Sequence, residues 1–121
     1  DFIPNNEIPQ LLNKSSINLI LTTKSSNDGP HGIMTTKFFE ALGVEKPILC
    51  VRSDEECLAQ VIQETKSGLA ATNVEEVKNF ILHYYNQWQK QGYTHIEIKG
   101  KEQFTRQNQA LQFEEIFNNL L

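Results

Sequence analysis

Short apolar segments alternate with longer amphipathic stretches along this chain. Residues 17–23 (INLILTT) and 47–51 (PILCV) are short apolar runs, a pattern typical of strands buried on both faces. Residues 69–72 have the pattern of a third, minimal strand, and residues 2–4 look like the end of a further strand that stops at a proline. The pattern therefore predicts three full strands and the end of a fourth.

Apolar residues at helical spacing predict five helices around these strands. Asn5 or Asn6 caps the first helix, and the second covers residues 34–42. The fourth helix, which is long, ends near Gly92, and the fifth begins around Lys101. We expect these last two helices to pack back over the sheet.

Two pairs of residues have the spacing of a capping box, in which a polar cap and a later glutamate satisfy free amides at a helix start. Ser53 with Glu56 marks the start of the third helix, and Asn73 with Glu76 marks the start of the fourth. Gly68 stands where the third helix is expected to end, because glycine tolerates the left-handed conformation common at helix C-termini.

Apolar strands that alternate with capped helices predict βαβ crossovers and hence a parallel sheet. The expected fold is an α/β, Rossmann-like three-layer domain in which helices flank a short parallel sheet. The length of 121 residues agrees with a single domain over residues 1–121.

The chain carries 11 basic and 15 acidic residues, a formal net charge of −4. This balance argues against a nucleic-acid binder, because phosphate backbones are bound by clustered lysines and arginines. Two cysteines are too few for a disulfide-rich scaffold, and we expect Cys50 and Cys57 to be buried, reduced thiols. No apolar run approaches the roughly 18 residues of a membrane-spanning helix, so we expect a soluble, cytoplasmic protein.

The clearest chemical signal lies in residues 29–40 (GPHGIMTTKFFE), where a loop leads into a helix. Thr35 and Thr36 offer hydroxyls beside the free amides of the first helical turn, which together favour an anion. Lys37 adds a positive charge, and Glu40, one turn later, suits the vicinal hydroxyls of a ribose. The alternative is an ordinary capped helix whose Lys37 and Glu40 face solvent.

The loop before this helix contributes Gly29, Gly32 and His31. Glycines allow a ligand to approach the backbone closely, and a histidine here can point at whatever binds the helix N-terminus. Open α/β sheets bind ligands where a strand gives way to a helix, so the position fits a binding site. The residues match neither the Walker loop nor the GxGxxG motif.

The run over residues 35–51 (TTKFFEALGVEKPILCV) resembles the donor-binding segment of GT-B fold glycosyltransferases, especially family four, the glycosyl transferases group 1 type. Residues 7–23 resemble the helix and buried strand that precede this segment in the family. Residues 64–70 (ETKSGLA) and 73–77 resemble the stretches that follow it. The resemblance covers nearly the whole chain, and it rests on the order and spacing of short motifs.

The resemblance implies a role for each of these residues. Glu40 matches the second glutamate of the family's Glu-x7-Glu motif, which hydrogen-bonds the ribose of a nucleotide sugar. The amides of residues 34–36, with the hydroxyls of the two threonines, would face the diphosphate, and Lys37 matches a lysine of many relatives. The motif's first glutamate is replaced by Gly32, and we hypothesise that His31 takes over its contact with the donor sugar.

The activity implied by the resemblance is transfer of a sugar, as in hexosyltransferases, from a UDP- or GDP-sugar to a glycan or other acceptor. The motif requires no metal or other cofactor. In the family an N-terminal domain binds the acceptor, and an upstream Arg/Lys pair neutralises the leaving diphosphate. We expect both to precede this chain, which would be part of the C-terminal, donor-binding Rossmann-like domain and would be inactive alone. The full protein would act in polysaccharide biosynthesis in the cytoplasm, with peripheral association at the inner face of the membrane.

Two other classes of function remain open from the residues. A flavodoxin-like phosphotransfer module would need a phosphorylatable acid at a strand end, and Asp54 with the two glutamates after it occupies such a position. A protein-interaction domain would use the aromatic residues Tyr84, Tyr85 and Trp88, although aromatics at helical spacing usually belong to the core.

Overall fold

A computed structural model describes residues 3–22, 34–51 and 56–120 of the chain. Within these ranges the elements are, in chain order, α1 (Ile8–Lys14), β1 (Asn18–Leu21), α2 (Thr36–Gly43), β2 (Ile48–Val51), α3 (Glu56–Thr65), β3 (Gly68–Ala71), α4 (Val74–Gln91), a 3₁₀ turn (Lys101–Phe104) and α5 (Arg106–Leu120). The α/β class is confirmed, and the layout is compatible with a Rossmann-like arrangement. None of the described helices is both long enough and apolar enough to cross a membrane.

The three described strands are parallel and lie in the order β1-β2-β3. The crossover helices α2 and α3 both cover one face, since their apolar side chains share one core with that face. This core comprises Ile20, Phe38, Ala41, Leu42, Ile48, Cys50, Leu58 and Ile62. The crossovers expected from the alternating sequence pattern are therefore confirmed, and Cys50 is buried as expected.

Helix α4 covers the opposite face of the sheet, where it packs against β2 and β3. Its Tyr84 is buried, and burial raises the pKa of the Tyr84 phenol above its usual 10.0. The helix begins beside the end of β3, whereas the Thr94 hydroxyl, just past its C-terminus, donates to the carbonyl of Ser16 before β1 (2.5 Å). Helix α4 therefore runs obliquely across the sheet, from the end of β3 toward the start of β1.

Strand β1 is not buried on both faces as the sequence pattern predicts. Asn18 and Ile20 are buried against the helices, but Leu19 and Leu21 on the opposite face are 58% and 72% exposed. The reason is the position of α4, which packs on β2 and β3. That face of β1 is left open.

The predicted ends of α4 are confirmed. The Asn73 side chain accepts a hydrogen bond from the amide of Glu76 (2.9 Å), and the Glu76 carboxylate accepts one from the amide of Thr72 (2.8 Å). This second bond, with further hydrogen bonds from the same cap, lowers the pKa of Glu76. Gly92 ends the helix in the left-handed conformation, with φ of 79°.

Two other predicted helix ends are wrong. Helix α1 is capped at Glu7 without a side-chain hydrogen bond, and neither Asn5 nor Asn6 holds the cap position. A proline in its first turn lacks the amide that such a cap would satisfy. Helix α3 ends at Thr65, before a residue with positive φ, Lys66, while Gly68 already belongs to β3.

Smaller expectations at the element boundaries have mixed outcomes. Ser53, the predicted cap of α3, lies outside the described ranges. Cys57, in the first turn of α3, is exposed rather than buried. Ile3 and Pro4, the described part of the expected strand end, form no strand.

The end of the chain departs furthest from the expectation. A 3₁₀ turn precedes α5. The ring of Phe104 holds this turn against Phe39 of α2 (5.6 Å between centroids), and Lys101 forms an ion pair with Glu45. No residue of α5 is buried, so this helix does not pack over the sheet. Its exposed apolar side chains are Leu111, Phe113, Ile116, Phe117 and Leu120. Helices α2 and α3 already cover one face of the sheet, and α4 covers part of the other. The 3₁₀ turn instead brings only the start of α5 beside α2.

Candidate functional site

The start of α2 differs in one respect from the predicted anion site. Thr35 caps the helix instead of lying in its first turn, and its hydroxyl accepts a hydrogen bond from the amide of Lys37 (3.3 Å). Helix α2 begins at Thr36, whose side chain is exposed, as is that of Lys37. The Thr35 hydroxyl therefore serves the helix cap, and Thr36 is the threonine that faces outward.

Burial of one face of α2 explains which side chains remain for a ligand. Phe38, Ala41 and Leu42 are buried in the core, which fixes the rotation of the helix about its axis. Glu40 falls between them on the exposed side. The apolar spacing of the sequence therefore places the predicted ribose contact at the surface, beside the outward-facing Thr36.

A groove of about 470 Å³ lies between α2 and the start of α5. It brings together two of the predicted site residues, Thr36 and Glu40, with two polar side chains from α5, and the rings of two phenylalanines complete it. The lining residues are Thr36, Phe39, Glu40, Phe104, Arg106 and Gln109. A second groove of about 360 Å³, also lined by both phenylalanines, continues toward Lys101.

The groove combines opposite charges with an apolar wall. The Glu40 carboxylate can accept hydrogen bonds from hydroxyls, and the Arg106 guanidinium can donate to an anion. Phe39 and Phe104, which line the same groove, form a tilted ring pair. The site can therefore contact a ligand that carries hydroxyls, an anionic group and a flat apolar part.

Arg106 and Gln109 are two groove residues that the sequence pattern does not predict. Both lie far along the chain from Glu40 and join it only because the 3₁₀ turn seats Phe104 against α2. The ion pair of Lys101 with Glu45 anchors the same turn. The hydrogen bond from Lys101, and then its charge, lower the pKa of Glu45. No spacing in the sequence marks this contact.

The remaining predicted site residues are not brought into the groove. Lys37 is exposed on α2 but is not among the lining residues. His31 and Gly32 lie outside the described residues, as does Asp54 of the phosphotransfer alternative. Within the described ranges, no group of three or more His, Cys, Asp or Glu side chains could hold a metal ion.

The aromatic residues of α4 are only partly in the core. Tyr84 is buried, but Tyr85 and Trp88 are about half exposed and stack on each other, with ring centroids 6.2 Å apart. The expectation that all three are core residues is therefore wrong for Tyr85 and Trp88.

Comparison with known proteins found no matching protein family, curated protein or solved structure. The structure itself defines an α/β domain with a small parallel sheet and a groove beside the helix that follows its first strand. Open α/β sheets commonly bind ligands at the carboxyl ends of their strands, and α2 follows the carboxyl end of β1 along the chain.

Proposed function

We propose that this chain is the donor-nucleotide-binding part of a GT-B fold glycosyltransferase. The complete enzyme would transfer a sugar from a UDP- or GDP-sugar to a glycan or other acceptor. The observation that carries the proposal is the groove in which Thr36 and Glu40 of α2 meet Arg106 of α5. The resemblance of residues 35–51 to the family's donor-binding segment supports it independently.

Each part of a nucleotide diphosphate has a counterpart in the groove. Glu40 would accept hydrogen bonds from the two ribose hydroxyls, which is the role that the resemblance implies. Arg106 and the Thr36 hydroxyl, which lies at the positive end of the α2 dipole, would donate to the diphosphate. Phe39 and Phe104 give the base an apolar surface to lie against, since bases stack well on aromatic rings.

The same contacts define the share of the reaction that this chain would carry. During transfer, the bond between the anomeric carbon and the diphosphate oxygen breaks, and negative charge develops on the departing diphosphate. Donors fixed beside that oxygen stabilise the charge. The acceptor hydroxyl, which bonds to the anomeric carbon and loses its proton, would be bound by a further domain. The chain alone is therefore expected to bind the donor without turnover.

Replacement of Glu40 by glutamine tests the proposal. We expect Glu40→Gln to weaken UDP or GDP binding by about ten-fold or more, because a hydrogen bond to a charged acceptor contributes about 1.5–3 kcal/mol. Isothermal titration calorimetry with UDP, GDP and the corresponding nucleosides measures this change. The matched control is Glu75→Gln on α4, on the opposite face of the sheet, which should leave affinity unchanged.

Arg106→Met separates the two halves of the site. This variant should weaken binding of the diphosphates while leaving the weaker binding of the nucleosides nearly unchanged, since the guanidinium would contact phosphate. A folded chain that binds neither UDP nor GDP at millimolar concentration contradicts the proposed function. Binding that neither Glu40→Gln nor Arg106→Met alters would show that the nucleotide lies elsewhere.

A further inference from the structure

Strand β1 has a free edge in the described sheet, where it pairs with β2 alone. The amide of Asn18 donates to the carbonyl of Pro47, just before β2 (2.8 Å), and the amide of Thr22 donates to the carbonyl of Val51 in β2 (3.3 Å). Because backbone groups alternate in direction along a parallel strand, the N–H and C=O groups of Leu19 and Leu21 point to the free edge. Such an edge is a template for another strand.

The same two leucines also expose their side chains. Leu49, which is paired with Leu19 in the register of the sheet, is only 3% exposed under α4. Leu19 and Leu21 lie on that same face but beyond the cover of α4, at 58% and 72% exposure. The open edge of the sheet is therefore bordered by an open apolar face.

Helix α4 adds a stripe of exposed side chains beside this face. Val74, Ile81, Tyr85 and Trp88 lie on one side of the helix and are about half exposed or more. Parallel crossovers are right-handed, which determines on which side of α4 strand β1 lies. Because the α-helix is itself right-handed, the side of α4 that carries the stripe faces β1. We call the combined patch the β1–α4 surface; its residues are Leu19, Leu21, Val74, Ile81, Tyr85 and Trp88.

We propose that the β1–α4 surface binds a second copy of this chain. The two β1 strands pair antiparallel about a two-fold axis and join the two sheets into one of six strands. Such a contact is isologous, so each copy offers the same edge and the same apolar patch. The proposal does not depend on the nucleotide site, which lies by α2 on the other face of the sheet.

The oblique path of α4 makes the surface complementary to itself. The helix ends near the start of β1, as the hydrogen bond from Thr94 to Ser16 shows. An antiparallel pair of strands places the start of one β1 beside the end of the other. Tyr85 and Trp88 of the second copy then lie over Leu21, the side chain that α4 of the first copy leaves uncovered.

The size of the patch fits a dimer. Aromatic side chains offer about 150–250 Å² each and aliphatic ones less, so the exposed fractions of these six residues leave on the order of 600 Å² of surface per copy. A standard interface buries about 800 Å² per partner, and pairing of the strand edges adds backbone contact to the patch. None of the six side chains is charged, so burial leaves no unpaired charge.

Sedimentation velocity of the 121-residue chain over micromolar to millimolar concentrations tests the proposal. We expect the mass to rise with concentration from 13.9 kDa to twice that value. Amide hydrogen exchange at Leu19 and Leu21 should slow by about ten-fold or more in the dimer, because new hydrogen bonds protect these amides. Their exchange in the monomer serves as the reference.

Leu21→Pro removes one edge-facing amide and leaves the bonds of Asn18 to Pro47 and of Thr22 to Val51 in place, as proline can at an edge strand. It should raise the dimer dissociation constant by about ten-fold or more. Leu21→Lys, which changes only an exposed side chain, should do the same. The control is Leu11→Lys on α1, an exposed leucine outside the surface, which should leave dimerisation unchanged.

Circular dichroism shows whether each variant is folded. If Leu21→Pro is not folded, Leu21→Lys alone tests the proposal. A chain that remains monomeric at millimolar concentration overturns the proposal. A dimer that both Leu21 variants leave intact also overturns it, because its interface would then lie elsewhere. The same conclusion follows if exchange at Leu19 and Leu21 does not slow as the dimer forms.

Discussion

Gly68 offers the sharpest test of the fold, because the sequence and the structure give it different roles. The sequence pattern makes it the end of α3, whereas the structure places it in β3, opposite Ile48 of β2. A Cβ atom at this position would lie 1.8 Å from the carbonyl oxygen of Ile48, a separation that real Cβ atoms essentially never show. Gly68→Ala therefore requires the two strands to move apart by more than an ångström.

The cost follows from what this movement disrupts. The amide of Ile48 donates to the carbonyl of Ser67 at 3.0 Å, and Ser67 is fully buried, with its hydroxyl bonded to that of Thr65 at 2.9 Å. A buried polar group that loses its partner costs about 1–3 kcal/mol. Breaking the bond between the Ile48 amide and the Ser67 carbonyl leaves two such groups, so the loss is about 2–6 kcal/mol. The free energy of unfolding of a typical domain is about 5–15 kcal/mol.

Gly43→Ala is the matched control, since Gly43 ends α2 and a Cβ there meets nothing within 4 Å. Alanine should stabilise this helical position by about 0.5–1 kcal/mol. Urea unfolding, followed by circular dichroism and by the fluorescence of Trp88, measures both variants. We expect the Gly68→Ala midpoint to fall well below the wild-type value and the Gly43→Ala midpoint to stay level or rise.

The size of the loss distinguishes the two roles of Gly68. An alanine forced into the left-handed conformation of a helix end costs about 1–2 kcal/mol. A loss of that size or smaller in Gly68→Ala would refute the close approach of β3 to β2 that the structure shows. A loss of 3 kcal/mol or more, with Gly43→Ala unaffected, supports it.

Two further predictions concern polar contacts. The hydrogen bond and charge of Lys101 lower the pKa of Glu45 in the folded state below its usual 4.5. The stability that this pair contributes is therefore complete above pH 4.5, and it is lost as the pH falls through the lower pKa of the folded state. The gap in thermal midpoint between wild type and Glu45→Gln should therefore close in acid, and a gap that is equal at every pH would contradict the pairing. Asn73→Ala removes the cap bond to the amide of Glu76 and should cost about 1 kcal/mol in urea unfolding, whereas an unchanged midpoint would show that the cap contributes nothing.

The sequence by itself determined the order of strands and helices and several helix ends. Asn73 and Gly92 mark the ends of α4 in both the pattern and the structure. These signals are local, because a cap bonds to amides within one turn and the preference for glycine depends on the φ angle of that one residue. The exposed position of Glu40 on α2 also follows from the spacing of its buried neighbours.

Only the tertiary structure decided which apolar residues are covered and which distant groups meet. Leu21 and Leu49 belong to similar apolar runs, yet Leu21 is exposed and Leu49 is buried, because α4 packs on β2 and β3. Arg106 joins the groove through the contact of Phe104 with α2. Burial and long-range contact depend on how separate elements pack, and a pattern read along one segment does not contain the position of its neighbours.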